Sequence, residues 1–140
     1  MLFRSKGKRV ILVDDSIVRG TTSIKIVEMI RAAGATSIHM RIASPPTTNP
    51  CFYGVDTPEK DKLMAARHSL DEMAKIIGVD TLAFISMDGL YRAVGEAKRD
   101  NLKPQFCDAC FSGDYPMPLT DQEGGGAAKQ LSFLTEIGNR

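Results

Sequence analysis

The stretch VILVDDSIVRGTTS, residues 10–23, constrains the fold more than any other part of the sequence. Its apolar start, Val10 to Val13, is typical of a short parallel strand that is covered on both faces. The run leads directly into two adjacent carboxylates, Asp14 and Asp15, and then into a loop of Gly, Ser and Thr. Neighbouring carboxylates repel each other and are costly to bury without a partner. The pair therefore indicates either a strand end that reaches solvent or a site for a polar ligand.

The residues after this loop predict a βαβ unit. Between Thr22 and Ala33 the apolar residues share one helical stripe, and Gly34 suits the left-handed residue that ends a helix. Apolar residues then alternate over 38–42, which predicts a second strand that stops before Pro45-Pro46. A strand, a helix and a strand in this order imply two parallel strands with a right-handed crossover.

The rest of the chain is predicted to alternate short elements with loops. Residues 47–58 are predicted to form an ordered loop, and regular structure is expected to fade beyond Lys98. The elements predicted between them are a short helix over 58–66, a helix with a Ser69–Glu72 capping box that Gly78 closes, a strand over 82–85 and a helix over 88–97.

Composition limits the class of protein. The 140 residues are 43% hydrophobic and 25% charged, with 18 Lys and Arg against 17 Asp and Glu, which fits one globular domain or a piece of a larger protein. The balanced charge offers no footprint for nucleic acid or an anionic membrane. Without a long apolar run or a signal peptide, we expect a cytoplasmic protein. Because few residues precede a strand that looks central, we also expect a fragment of a longer chain.

The loop between the first strand and the first helix is suited to phosphate. A helix start presents unpaired N–H groups and the positive end of the helix dipole, Gly20 allows close approach, and Arg19 adds charge. Carboxylates such as Asp14 and Asp15 accept hydrogen bonds from vicinal hydroxyls and can hold a hard cation. A phosphorylated sugar would satisfy both the helix start and the acidic pair. An ordinary helix cap at Thr21-Thr22 is the simpler alternative. Neither the Walker pattern nor GxGxxG is present.

Residues 10–22 resemble the phosphoribosyl pyrophosphate (PRPP) signature of the type I phosphoribosyltransferases. Six blocks, in family order over residues 8–118, resemble the amidophosphoribosyltransferase family: DDSIVRGTTS, IRAAGA, RIASPP, CFYGVDTP, TLAFIS-DGL and C-AC-F-G-YP. The resemblance implies an α/β fold, namely part of a type I phosphoribosyltransferase fold with a parallel sheet and flanking helices. Residues 1–100 would form a partial phosphoribosyltransferase domain, with the PRPP-binding strand, loop and helix at 10–33. Residues 101–140 would form an irregular carboxyl-terminal segment with a flexible tail.

The resemblance also implies a function. Members of this family form 5-phosphoribosylamine from PRPP and glutamine-derived ammonia, in the first step of de novo purine biosynthesis. Asp14 and Asp15 would hold the ribose hydroxyls and Mg²⁺. The 5′-phosphate of PRPP, or of an inhibitory purine nucleotide, would bind Ser16, Ile17, Val18, Arg19, Gly20, Thr21 and Thr22. The implied partners are the glutaminase domain and the upstream phosphoribosyltransferase segment of the same polypeptide, in a homo-oligomer.

Two expectations follow for the chain by itself. We expect it to be inactive in isolation, because Met1 and Leu2 stand where a glutaminase nucleophile would be needed. The alternative to an enzyme is a non-catalytic regulatory module that senses PRPP or nucleotides through the same loop.

The three cysteines form a second candidate site. Cys107 and Cys110 make a CxxC motif, which is compatible with redox chemistry, with half of a metal site or with coincidence. The family resemblance implies that Cys51, Cys107 and Cys110 are ligands of one structural [4Fe–4S] cluster, with the fourth ligand outside this chain. We therefore expect no intact cluster in this chain alone. His39 and His68 lack metal-ligand spacing and are interpreted as structural.

Overall fold

The computed structural model describes residues 5–117, so the predicted flexible tail lies outside the described residues. Within these residues, three parallel strands form one sheet in the order β1 (Arg9–Asp14), β2 (Ser37–Ile42) and β3 (Thr81–Phe84). Asp14 pairs with Ile42, which pairs with Phe84, so the carboxyl ends of the strands meet at one edge. Ligands of open parallel sheets bind beyond that edge.

Five helices and one 3₁₀ turn accompany the sheet within the described residues. Their bounds are α1 Thr21–Ala32, a 3₁₀ turn Lys60–Lys62, α2 Met64–Arg67, α3 Leu70–Ile77, α4 Met87–Ala93 and α5 Ala109–Ser112. The parallel strands joined by helical crossovers confirm the predicted α/β class with flanking helices.

The core lies between the sheet and the helices on one of its faces. Ile38, Met40 and Ile42 of β2 are at most 3% exposed, as their alternation predicts. They belong to the same buried cluster as Val27 of α1 and Ile77 of α3. Burying these side chains supplies most of the energy that holds α1 and α3 on the sheet.

The prediction that β1 is covered on both faces is wrong for residues 5–117. Ile11 and Val13 are 70% and 68% exposed, and β1 lies at the edge of the sheet. Helices α1 and α3 pack on the opposite face, so they leave these two side chains uncovered. An apolar run of four residues therefore has only every second side chain facing the core.

Helix α4 also ends earlier than predicted. The sequence predicts a helix to Ala97 with Val94 facing inward, but the helix ends at Ala93 and Val94 is 57% exposed. Gly95, with φ of +97°, turns the chain out of the helix, and the Glu96 N–H donates to the Tyr91 carbonyl. A left-handed glycine at this position terminates the helix.

Helix α3 begins with the predicted capping box. The Ser69 hydroxyl accepts a hydrogen bond from the Glu72 N–H, and the Glu72 carboxylate accepts one from the Ser69 N–H at 2.8 Å. Gly78, with φ of +85°, ends the helix. These two features confirm the predicted helix between residues 69 and 78.

Removing the capping hydroxyl should destabilise the protein. We expect Ser69→Ala to lower the free energy of unfolding by about 1 kcal/mol, because the first turn of α3 loses its side-chain acceptor. Chemical denaturation measures the change. Glu72→Gln is the matched control, since an amide oxygen can still accept from the Ser69 N–H. Equal losses in the two variants would contradict the assignment of the effect to the hydroxyl.

Candidate functional site

An open pocket of roughly 500 Å³ lies at the carboxyl end of β1. Its lining comprises residues 14–23, together with Asp56 and Pro58 from the loop that follows β2. The structure therefore brings every residue of the proposed PRPP loop into one concave site. That site lies at the edge of the sheet where the carboxyl ends of the strands meet.

The Asp14 and Asp15 carboxylates are held by the backbone beside them. The Asp14 carboxylate accepts a hydrogen bond from the Asp15 N–H at 3.0 Å, and the Asp15 carboxylate accepts one from the Ser16 N–H at 2.6 Å. Within residues 5–117, neither side chain forms an ion pair. One oxygen of each carboxylate fixes the loop, and the other remains available to a ligand.

The loop between β1 and α1 is anchored to the core and to α2. Ile17 is 1% exposed and packs in the core, and the Val18 carbonyl accepts a hydrogen bond from the Met64 N–H at 2.8 Å. Gly20 has φ of +78° and precedes the first turn of α1. A buried apolar anchor and a bond to α2 thus hold the backbone between the carboxylates and the helix.

The first turn of α1 has no internal cap. Among residues 5–117, no side chain accepts its N–H groups, and no acidic residue lies in the turn. Thr21 and Thr22 are exposed at the pocket. The simpler alternative, an ordinary side-chain cap by these threonines, is therefore wrong. The open N–H groups and the helix dipole attract an anion.

Gly20 is required at its position for two separate reasons. A Cβ atom there would lie 2.5 Å from the Met64 Sδ, and the positive φ disfavours other residues. We expect Gly20→Ala to lower the free energy of unfolding by about 2–4 kcal/mol, the sum of backbone strain and overpacking. Phosphate binding should weaken as well, because the loop must shift. Denaturation and calorimetry measure the two effects.

Gly7→Ala is the matched control for this prediction. Gly7 has φ of +71°, but a Cβ atom there meets nothing within 4 Å. Gly7→Ala should lower the free energy of unfolding only by the strain of a left-handed residue, about 1–2 kcal/mol. Equal losses at the two positions would show that the contact with Met64 does not matter.

Sequence reasoning missed Asp56 and Pro58 as pocket residues. Both lie in the loop between β2 and the 3₁₀ turn, and no local pattern in the sequence shows that this loop reaches Asp14. Two signals were present, the prediction that 47–58 is an ordered loop and the block CFYGVDTP of the family resemblance, which contains both residues. Asp56 adds a third carboxylate to the lining of the pocket.

The cysteines lie in a second region, where two distant segments are fastened together. The Thr48 and Asn49 N–H groups both donate to the Cys110 carbonyl at 3.0 Å. The Tyr115 hydroxyl donates to the Pro50 carbonyl at 2.7 Å. These bonds bring the loop that carries Cys51 against the CxxC segment.

The CxxC motif lies only partly in a loop: Cys107 is in the irregular segment as predicted, and Cys110 is not. Cys110 is in the single turn of α5, and Asp108 immediately precedes that helix. No strand leads into this turn within the described residues, so the arrangement differs from a redox motif that follows a strand. The prediction of an irregular segment is wrong for the four residues of α5. The sequence did not predict this helix because the residues around it lack a helical apolar stripe.

The Cys110 thiol is influenced by burial and by the other two cysteines. Burial raises the pKa of the Cys110 thiol, and nearby Cys51 and Cys107 raise it further. The Tyr53 N–H donates to the Cys51 Sγ at 3.4 Å. Thiolate sulfurs are the donors that hold iron–sulfur groups, and Cys51 and Cys107 both lie near Cys110. Within residues 5–117, no three His, Cys, Asp or Glu side chains are arranged to hold a single metal ion.

No helix among the described residues is long and apolar enough to cross a membrane. No protein-family model matches the chain.

Known proteins similar to the chain agree with one another. The chain is 56% identical over 134 residues to an amidophosphoribosyltransferase of Rhizobium etli, covering 95% of the chain and 27% of that protein. It is 53% identical over 114 residues to the Bacillus subtilis protein of the same name, covering 81% of the chain and 24% of the relative. A chloroplastic amidophosphoribosyltransferase of Arabidopsis thaliana is 53% identical over 118 residues, covering 84% and 20%.

Solved structures give the same result. Glutamine PRPP amidotransferase from B. subtilis, complexed with ADP and GMP, matches with a TM-score of 0.75 and 50% identity over 83% of the chain and 25% of that structure. The chain spans about a quarter of the length of the relatives that it matches. Identity above 50% across nearly all of the chain, together with the shared fold, shows that the chain belongs to the amidophosphoribosyltransferase family, whose carboxyl-terminal part it represents.

Proposed function

We propose that the full-length protein is a glycosyltransferase that forms 5-phosphoribosylamine from PRPP and glutamine-derived ammonia, the first step of de novo purine biosynthesis. The observation that carries this proposal is the pocket at the end of β1, where an acidic pair faces an uncapped helix start. A ligand with a phosphate at one end and vicinal hydroxyls at the other would satisfy both. The family name of the relatives supports the same substrate.

Each part of the pocket has a separate task in this reaction. The 5′-phosphate binds the N–H groups at the start of α1, with the Thr21 and Thr22 hydroxyls and Arg19 around it. The Asp14 and Asp15 carboxylates accept hydrogen bonds from the ribose hydroxyls. Ammonia attacks the anomeric carbon as the bond to pyrophosphate breaks, and the ribose ring gains positive charge. Fixed carboxylates near the ring stabilise that charge, and their larger effect is to orient the sugar.

Mg²⁺ fits the same acidic pair. Hard cations prefer carboxylate oxygens, and Mg²⁺ retains several waters while it binds one or two carboxylates and substrate phosphates. The oxygens of Asp14 and Asp15 that fix no backbone group provide such a donor set. The ion would neutralise charge on the departing pyrophosphate.

The cysteine region offers three of the four thiolate ligands that a [4Fe–4S] cluster needs. Cys51, Cys107 and Cys110 would hold it, with the fourth thiolate outside this chain. The cluster would tie the α5 segment to the loop after β2, which also carries Asp56 and Pro58 of the pocket. Its role would be structural.

A nucleotide-sensing regulatory module remains the second candidate. It is supported by one finding, that the similar B. subtilis structure is a complex with ADP and GMP. A nucleotide 5′-phosphate would occupy the same pocket as the phosphate of PRPP. We propose the cytoplasm as the compartment, although some plant relatives are named as chloroplastic.

Calorimetry tests whether separate parts of the pocket bind the phosphate and the sugar. We expect the full-length protein to bind ribose 5-phosphate more tightly than inorganic phosphate. Asp14→Lys should remove most of that difference while leaving phosphate binding in place, because the two contacts are separate. An equal loss for both ligands would contradict the proposed division. Release of phosphoribosylamine from PRPP and glutamine then separates the enzyme from a module that only senses nucleotides.

A further inference from the structure

A buried ion pair connects Arg99 with the CxxC motif. Asp108 stands between Cys107 and Cys110 and is 3% exposed, and its partner Arg99 is 9% exposed. The Arg99 Nε donates to one carboxylate oxygen at 2.6 Å and its Nη2 donates to the other at 3.1 Å. This two-point geometry fixes the direction of the carboxylate as well as its place.

Both oxygens of Asp108 receive a further hydrogen bond. The Tyr91 hydroxyl of α4 donates at 2.7 Å, and the Ser112 hydroxyl of α5 donates to the other oxygen at 2.7 Å. Tyr91 is 2% exposed, so this network joins the CxxC turn to the buried side of α4. The exposed Asp114 also accepts a hydrogen bond from the Arg99 Nη2, at 2.7 Å.

The backbone of Asp108 governs the turn that carries the cysteines. Its carbonyl accepts hydrogen bonds from the Phe111 and Ser112 N–H groups, which close the single turn of α5. A helix of four residues gains little stability from its own hydrogen bonds. The conformation of the Cys107–Cys110 segment therefore depends on what holds Asp108.

Joining two segments by a buried ion pair costs free energy of desolvation. Apolar side chains of similar volume often stabilise a protein as well or better, because two charges must be taken out of water. The two-point ion pair gives a defined orientation that apolar contacts do not. The PRPP pocket makes no use of it, since Arg99 and Asp108 are not among its lining residues.

We propose that Arg99 and Asp108 are positioning residues that hold Cys107 and Cys110 in their ligating arrangement before the metal group binds. The proposal rests on the cluster proposed above. Residues that orient metal ligands without contacting the metal commonly affect affinity by about 10–100-fold when they are replaced. Arg99 and Asp108 act through the backbone of the CxxC turn in this way.

The test compares variants of the full-length protein prepared without oxygen. Arg99→Lys keeps the charge but loses the two-point contact. The double variant Arg99→Met with Asp108→Asn removes both charges and keeps one side-chain oxygen, which can accept from Tyr91 or from Ser112. We expect the cluster in both variants to lose its visible absorption in air about tenfold faster than in the unchanged protein. The cluster-free proteins should also capture a trivalent arsenical, which needs two thiols placed together, more slowly.

Arg31→Met is the matched control, because Arg31 forms an Arg–Asp pair with Asp80 away from the cysteines. It should leave cluster lifetime and arsenical capture unchanged, whatever it does to thermal stability. If both Arg99 variants load iron and their cluster survives in air as long as that of the unchanged protein, the positioning role alone is overturned. Full-length protein without iron or sulfide would overturn the cluster itself, and the positioning role with it.

Discussion

Arg99→Met lowers the free energy of unfolding by about 3–5 kcal/mol, the cost of leaving a buried charge without its partner. Asp108 then keeps hydrogen bonds from Tyr91 and Ser112 but has lost both bonds from the guanidinium. Urea denaturation followed by circular dichroism measures the loss. Arg31→Met should cost no more than about 1 kcal/mol, because the side chains of the Arg31–Asp80 pair are 35% and 42% exposed. Similar losses in the two variants would contradict the importance of burial.

The same pair should make stability depend on acid pH. Burial alone would raise the pKa of Asp108, but hydrogen bonds from Arg99, Ser112 and Tyr91 outweigh it and hold the pKa below its ordinary value. A carboxyl with a lowered pKa contributes its full stability above the unfolded pKa of about 4 and loses it as the pH falls through the folded value. In the double variant Arg99→Met with Asp108→Asn, this acid-dependent loss should be smaller. An unchanged acid profile would contradict the role of Asp108.

Asp14→Asn with Asp15→Asn in the full-length protein should lower kcat/KM for PRPP by about 10²–10³-fold. Amide oxygens can still accept from the Asp15 and Ser16 N–H groups, so the loop keeps its backbone conformation. What the variant loses is negative charge beside the ribose and a ligand set for Mg²⁺. Steady-state kinetics at several Mg²⁺ concentrations measures the loss.

Inorganic phosphate provides the control for this double variant. Its affinity should fall by less than that of ribose 5-phosphate, because phosphate contacts the start of α1 and not the carboxylates. A variant with nearly full activity would refute the proposed role of the acidic pair. Loss of phosphate and ribose 5-phosphate binding together would instead indicate that the loop had lost its shape.

Local patterns in the sequence predicted the elements that local interactions determine. The alternation in β2, the capping box of α3 and the loop before α1 each depend on residues close in sequence, and the structure has them where they were predicted. The burial of β1 was predicted wrongly because it depends on what packs on the second face of the sheet. An apolar run does not reveal whether its strand is central or at an edge.

Contacts between distant or unusual residues could not be predicted. Asp56 reaches the pocket only because a loop after β2 folds back toward the end of β1. Arg99 and Asp108 resemble ordinary surface residues in the sequence, since Arg and Asp are almost never fully buried unless paired. Their pairing brings together residues on either side of an irregular segment, and no helical or strand period connects them.

The exposed face of β1 has a consequence for anyone who expresses this chain. Arg9–Asp14 is a six-residue strand without Pro or Gly, and within residues 5–117 no strand pairs with its outer side. Such an edge is a template for strands of other molecules, and Ile11 and Val13 add apolar contact to each added strand. Solubility of the chain at high concentration therefore depends on keeping this edge covered, and a lysine at residue 11 or 13 is the simplest way to protect it.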